Sequence, residues 1–415
     1  MNNINFINHK PHRMTSVLLL AFASGLPIML IISMLQAWLT EAGLAVTTIG
    51  FFSLVQQPYA YKFLWAPLFD RFSLPFLDHR RAWVFVMQLA IIVMLIVMAM
   101  IDPKTNPELM WGAALLAAIF SSTQDISSDA YRTELLPDSE RGLGSSFYLI
   151  GYRIAMLTSG AFALGFAAHY SFRAAYLLMA GFMCIGIIGT LSAPKLKTNK
   201  QRPEKIILAF IEPIKEFMSR PRCLWILLVI IFYKFGDAFT LSLSTTFLLR
   251  GVHFSLVDLA FINKVGGLLA TILGGVVGGI IMTRVRLFSS LMLFGIFQTI
   301  TNLGYMLLAI VGKSYVVMAF VVIAENFFGG MGTIAFLAFL MALCDQRYTA
   351  TQFAVFSAID SIGRIFIGPL AGFMVAHIGW VHFYFWAFIA GIPSLIFLLF
   401  IKTYIDKLTI NTKNA

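Results

Sequence analysis

The sequence predicts an all-α integral membrane protein in which twelve transmembrane helices form two repeats of six. Of the 415 residues, 59% are hydrophobic and only 12% are charged, which is too little polar surface for soluble domains of this length. Apolar segments of roughly 20 residues recur between short polar breaks, as a hydrocarbon core of about 30 Å requires at about 1.5 Å per residue. The two halves of the chain also resemble each other.

The apolar segments begin at twelve changes from polar to apolar composition. Their first residues lie near Thr15, Val46, Arg81, Glu108, Leu143, Phe172, Arg222, Leu256, Leu287, Ser314, Thr351 and Trp380. The first segment is predicted to be a retained span, because its apolar run continues past Pro27 without a small-residue cleavage site.

The longest polar interruption lies in the middle of the chain and separates six spans from six. It predicts an N-terminal bundle over 1–194, a basic cytoplasmic linker over 195–221 and a C-terminal bundle over 222–415. The halves align at an offset near 211, which pairs Arg153 with Arg364. Parallel six-helix repeats joined by a basic loop are typical of major facilitator transporters, whose substrate site lies near the middle of the membrane.

The distribution of basic residues predicts that both termini are cytoplasmic. In that orientation 21 of the 30 Lys and Arg residues fall in cytoplasmic segments and four on the opposite side, as the positive-inside rule requires. The net charge of +11 therefore indicates topology and attraction to anionic lipids, and no nucleic-acid partner. The three cysteines are far apart, so neither a disulfide framework nor a metal site is predicted. Metalloprotease, serine-hydrolase and dinucleotide motifs are absent, which argues against an enzyme.

Ten charged residues lie within the predicted spans, and their formal charges sum to zero. The bases are Lys62, Arg153, Lys234, Lys264 and Arg364, and the acids are Asp125, Asp129, Asp237, Glu325 and Asp360. Burying a charge in hydrocarbon costs on the order of several kcal/mol, so each of these residues is a functional candidate.

Three of the acids are the candidate proton carriers. Asp125 and Asp129 are spaced i, i+4 on one face of the fourth span, and Asp125 is the deeper of the two. Glu325 has no cation at i+3 or i+4, so it needs a partner from another helix, or a proton. A structural Glu325 bonded to backbone groups is the alternative.

Five residues are candidates for gating. Asp70 and Arg71, followed by further arginines, resemble the facilitator loop motif between the second and third spans, where an ion pair locks the cytoplasmic gate. Ordinary anchoring charges are the alternative. Arg153 and its repeat counterpart Arg364 are the other basic candidates; Asp360 is spaced i, i+4 from Arg364, and a purely structural pair is equally compatible with that spacing.

Nine segments of the sequence resemble those of the AmpG family of muropeptide permeases. The segments that carry this resemblance are, in order, FASGLP, LQAWLT, TIGFFSLV, YKFLWAPLFDR, STQDISSDAYRTELLPDSERG, YKFGDAF, TTFLLRGV, ENFFGGMGT and ATQFAVFSAI. The resemblance implies a bacterial inner-membrane importer of N-acetylglucosaminyl-1,6-anhydro-N-acetylmuramyl sugars and their peptides for peptidoglycan recycling. It implies import driven by the proton gradient. We expect no cofactor, and a monomer in contact with membrane lipids.

A substrate of this kind carries carboxylates, amides and hydroxyl groups, so its site should combine cations, amides and aromatic rings. The substrate-binding candidates are Gln36, Tyr59, Lys62, Gln124, Lys234, Asp237, Asn263, Lys264, Asn326 and Gln352. Three other functions stay open at this point: a proton-driven drug or metabolite exporter of the same fold, an acetyl-CoA-type transporter, and a non-transporting membrane sensor.

Overall fold

A computed structural model describes residues 10–66, 69, 72, 74–136, 140–196, 214–344 and 349–411. Within these residues the chain is helical and contains no strand. Ten of the described helices are long and apolar enough to cross a membrane. The prediction of an all-α membrane protein is therefore confirmed.

The helices that correspond to the twelve predicted spans are labelled in chain order. They are α1 (Pro11–Glu41), α2 (46–64), α3 (His79–Met100), α4 (Pro107–Leu135), α5 (141–169), α6 (Phe172–Ser192), α7 (Cys223–Gly251), α8 (Leu256–Met282), α9 (Leu287–Val311), α10 (Tyr315–Leu343), α11 (349–378) and α12 (380–411).

The second and eleventh spans are interrupted. Helix α2 alternates between α-helical and 3₁₀ segments, namely Val46–Phe52, Ser53–Gln56, Gln57–Tyr61 and Lys62–Leu64. Helix α11 breaks after Ile365 and resumes at Ile367, and the backbone at Gly379 has φ 73° and ψ 175°. Because glycine adopts positive φ without a steric penalty, this residue separates α11 from α12. The break falls directly before Trp380, where the twelfth span was predicted to begin.

The chain folds into two compact units. The first unit contains Met1–Leu44 and Val55–Pro203, and the second contains Ala45–Leu54 and Glu204–Ala415. The first turns of α2 thus belong to the second unit, where Gly50 lies against the backbone of Gly368. The predicted domain bounds place all of α2 in the N-terminal bundle, and they remain a prediction.

Glycines set the closest helix contacts within each unit. In the first unit, Gly151 of α5 lies against the backbone carbonyl of Leu18 in α1. In the second unit, Gly274 of α8 lies against the backbone carbonyl of Phe327 in α10. Small residues allow such close approach, which is a main source of helix association in membranes.

We expect Gly274→Ala to destabilise the second unit by about 1–3 kcal/mol, because the added methyl group has no room against the Phe327 backbone. The matched control is Gly279→Ala on the same helix, where an added Cβ meets nothing within 4 Å. Thermal unfolding of the detergent-solubilised variants would measure the difference. Equal melting temperatures for the two variants would contradict the close α8–α10 contact.

Candidate functional site

In the first unit, Asp125 lies at the centre of a buried polar cluster. Its carboxylate is 3.9 Å from the Nζ of Lys62, and its side chain is 10% exposed against 35% for Lys62. The other carboxylate oxygen, Oδ1, is buried and makes no hydrogen bond within the described residues. The pair is therefore loose: one oxygen has a distant cation and the other has no donor.

Polar side chains of three helices surround Asp125. The Tyr59 hydroxyl lies next to Ser121, and neither hydroxyl meets hydrogen-bond geometry within the described residues. The Gln124 amide donates to Ser24 Oγ of α1 at 3.5 Å, and Gln124 Oε1 is buried without a donor. Several hydrogen-bonding atoms thus meet at one place, which favours occupation by water or by a ligand. Three predicted residues, Lys62, Gln124 and Tyr59, adjoin Asp125.

Asp129 has a different environment from Asp125. Its carboxylate is 3.1 Å from Arg132 Nη2, and its side chain is 44% exposed. The Arg132 guanidinium also lies over the Tyr148 ring, 3.8 Å from the ring centroid. Asp129 therefore has a half-exposed ion pair with a close cationic partner.

Two further candidates in the first unit have separate contacts. Arg153 donates to the Met156 sulfur at 3.8 Å, and no described carboxylate lies within 4.0 Å of it. Gln36 lies 12 residues beyond Ser24 in α1, which corresponds to about 18 Å along a helix axis. The structure does not bring Gln36 to the Asp125 cluster.

In the second unit, Lys234 is the centre of a compact hydrogen-bond network. Its ammonium donates to Gln298 Oε1 at 2.7 Å, to the Gly329 carbonyl at 3.0 Å and to Asp237 Oδ2 at 3.3 Å. Gln298 in turn donates to the Tyr233 carbonyl at 3.2 Å. Because a lysine has three donor hydrogens, these acceptors account for all of them. The predicted i, i+3 pair is present, and the network fixes it in place.

Glu325 lies close to this network. Only 2% of the residue is exposed, and its Oε2 accepts a hydrogen bond from the neighbouring Asn326 amide at 3.0 Å. Asn326 also accepts from Thr271 of α8 at 3.1 Å. No described cation lies within 4.0 Å of Glu325, so the ionised form has no ion-pair partner there.

Sequence reasoning did not identify the aromatic wall beside Glu325. Tyr305 and Tyr384 stack with their ring centroids 5.3 Å apart, and both hydroxyls are buried without a described partner. Each lies near enough to Glu325 for electrostatic interaction. Their separation in the sequence left no spacing signal that could have linked them.

Asp360 and Arg364 form the predicted i, i+4 pair. Arg364 Nη2 is 2.6 Å from Asp360 Oδ2. Arg364 lies near Asp237, and Lys234 lies near Asp360. Two acids and two bases of the second unit therefore form one electrostatic group with Glu325 at its edge.

Asn263 and Lys264 lie in a π-helical stretch of α8, Leu259–Gly266. Both residues are partly exposed. Neither side chain makes a hydrogen bond or an ion pair with the residues that the structure describes. Lys264 therefore differs from Lys234, although the sequence presented the two as equivalent candidates.

Gln352 belongs to a separate cluster at the helix ends. Its amide donates to Glu216 Oε2 at 2.6 Å, and Arg220 binds the same carboxylate at 2.6 Å. A related contact in the first unit, which sequence reasoning missed, joins Arg13 to Glu140 at 2.7 Å. The structure does not bring Gln352 to Lys234. The gating candidates Asp70 and Arg71 lie outside the described residues.

The arrangement suits ion and proton exchange better than covalent chemistry. Each unit holds buried carboxylates beside lysines and unsatisfied hydroxyl or amide groups, which are the parts that a transporter needs for a charged, hydrogen-bonding substrate. In the described part of the chain, no group of three His, Cys, Asp or Glu side chains is placed to hold a metal ion.

The chain is similar to known membrane transporters in sequence and in fold. The family model of the Major Facilitator Superfamily matches residues 17–367. The anhydromuropeptide permease of Escherichia coli (strain K12) is 43% identical over 96% of this chain and 82% of its own. A Rickettsia conorii protein that carries the transporter name AmpG 4 is 31% identical over 96% of this chain and 98% of its own. A crystal structure of the peptide transporter POT superposes with a TM-score of 0.74 at 13% identity, over 95% of both chains.

Proposed function

Because this chain belongs to the major facilitator superfamily and, within it, to the AmpG family of permeases, we propose that it imports anhydromuropeptides together with protons. Membership makes the chain a multi-pass membrane transporter and not an enzyme. The proposal adds the substrate, the inward direction across the bacterial inner membrane, the cytoplasmic position of both termini and the absence of a cofactor other than the proton gradient.

The observation that carries the substrate proposal is the similarity to a permease of that name along nearly the whole chain. The site chemistry supports it. An anhydromuropeptide presents hydroxyls, amides and carboxylates, and the two units hold buried hydroxyls and amides beside lysines that match these groups. A drug exporter would favour an apolar cavity, which the polar groups around Asp125 and Glu325 do not suit.

Proton coupling is supported by two carboxylates. Asp125 has only a distant cation, and Glu325 has none within 4.0 Å among the described residues. A buried carboxylate without a close cation is stabilised by a proton. Asp129, with its close Arg132 partner, is the third candidate. Proton and substrate would then favour the same conformation, which is the differential affinity that symport requires.

The substrate proposal is tested by uptake of labelled anhydromuropeptide into proteoliposomes. We expect accumulation when the outside is more acidic than the inside, and none in protein-free liposomes. Efflux against an inverse gradient would indicate an exporter instead. Uptake of acetyl-CoA without uptake of anhydromuropeptide would indicate the other transporter class, and no flux of either compound would indicate a sensor.

A further inference from the structure

Lys264 is an uncommitted cation in the second unit. The sequence places three basic residues within the predicted spans of this unit, and of these Lys234 has three acceptors and Arg364 is 2.6 Å from Asp360. Lys264 makes neither an ion pair nor a hydrogen bond with the described residues. The residue is partly exposed, and no charged group lies near enough to interact with it.

Five acids lie outside the described ranges: Asp70, Asp138, Glu204, Glu212 and Asp345. All five belong to segments that the sequence predicts to be cytoplasmic. Lys264 is eight residues from the opposite end of α8, about 12 Å from Leu256 along the helix axis. Roughly 27 Å of helix separates it from the cytoplasmic end at Met282.

The charge balance of the second unit leaves Lys264 without a compensating acid among the described residues. Asp237 and Asp360 compensate Lys234 and Arg364, and Glu325 lies beside Asp237 and Lys234 instead of near Lys264. A cation within a membrane span is costly when no acid compensates it. An anionic ligand group would remove that cost when it binds.

We propose that, of the two lysine candidates in the second unit, Lys264 binds a carboxylate of the transported molecule and Lys234 does not. The inference rests on the proposed function, since it assigns a role within that substrate site. The adjacent Asn263 side chain, which has no hydrogen-bond partner within the described residues, offers an amide beside the ammonium. Both lie in the π-helical stretch of α8, a local geometry often found at functional sites.

An anionic lipid headgroup has the same chemistry as a carboxylate and is the other source of an anion. Phe261, one turn before Lys264, is 67% exposed, so lipid approaches this helix. The axial distance of about 12 Å from Leu256 places Lys264 well inside a core of about 30 Å. A lipid phosphate would have to enter hydrocarbon to meet it, which favours the substrate carboxylate.

The test compares binding of two ligands to full-length protein in vesicles of neutral lipid: an anhydromuropeptide with free carboxylates, and the same compound with its carboxylates amidated. We expect the wild type to prefer the free acid by roughly tenfold or more, as for one charge-assisted hydrogen bond. Lys264→Gln should lose this preference and keep its affinity for the amidated ligand. Lys264→Arg should retain part of the preference.

Lys104→Gln, in an exposed loop, is the matched control and should behave as the wild type. Unchanged affinity for the amidated ligand shows that Lys264→Gln is folded. A Lys264→Gln variant that still prefers the free acid would overturn the assignment. Equal affinity of the wild type for the two ligands in neutral vesicles would overturn it as well, because Lys264 would then be left to an anionic lipid headgroup. Binding of neither ligand by the wild type would overturn the proposed function, and this assignment with it.

Discussion

Asp125→Asn should abolish accumulation driven by a proton gradient and leave substrate exchange intact. With the membrane potential clamped at zero, a gradient of about one pH unit allows a one-proton symporter to concentrate its substrate up to about tenfold. We expect this ratio to fall to about one in the variant. Counterflow between labelled and unlabelled substrate should continue, because the amide mimics the protonated acid in size and in hydrogen bonding.

The reason lies in the loose ion pair of the first unit. The carboxylate is 3.9 Å from Lys62, and its Oδ1 makes no hydrogen bond within the described residues. Protonation removes one charge from a buried cluster and frees Lys62, which a close bidentate pair would resist. The amide of the Asp125→Asn variant is permanently neutral and would keep the cluster in its protonated-like state. The proton gradient could then no longer drive substrate accumulation.

Asp129→Asn is the matched control, because it makes the same chemical change one helical turn away. Its half-exposed pair with Arg132 predicts that accumulation persists near the wild-type ratio. Loss of accumulation in Asp129→Asn but not in Asp125→Asn would reverse the assignment of the two acids. If accumulation persists in both variants, Glu325 of the second unit would be assigned as the proton carrier instead.

Much of the fold was predictable because membrane thickness imposes a length on every span. The break at Gly379 fell where the twelfth span was predicted to begin. The pairs Lys234–Asp237 and Asp360–Arg364 followed from helical spacing, since i, i+3 and i, i+4 neighbours are fixed by the backbone alone.

Contacts between helices could not be predicted in the same way. One sequence does not fix the rotation of each helix about its axis, so Lys234 and Lys264 were equivalent candidates for substrate binding. The acceptors that distinguish them, Gln298 and the Gly329 carbonyl, come from α9 and α10. Gln352 was predicted to bind substrate for the same reason, although the structure places it beside Glu216.

Lys234→Met should destabilise the protein more than any other single change in these clusters. It removes the cation that donates to Asp237 Oδ2 and Gln298 Oε1, whereas the Gly329 carbonyl keeps its hydrogen bond from Thr333. Breaking a buried ion pair by removing one partner costs about 3–5 kcal/mol. We expect the melting temperature of the detergent-solubilised protein to fall on the order of 10 °C.

The double variant Lys234→Met with Asp237→Asn separates lost charge pairing from lost packing. Replacing Asp237 removes the uncompensated carboxylate, so at least half of the lost stability should return if pairing dominates. Lys313→Met, in an exposed loop, should melt as the wild type does. A Lys234→Met variant with wild-type stability would mean that its three acceptors are satisfied without it. Lys234 would then be free to meet substrate, and the contrast with Lys264 would no longer hold.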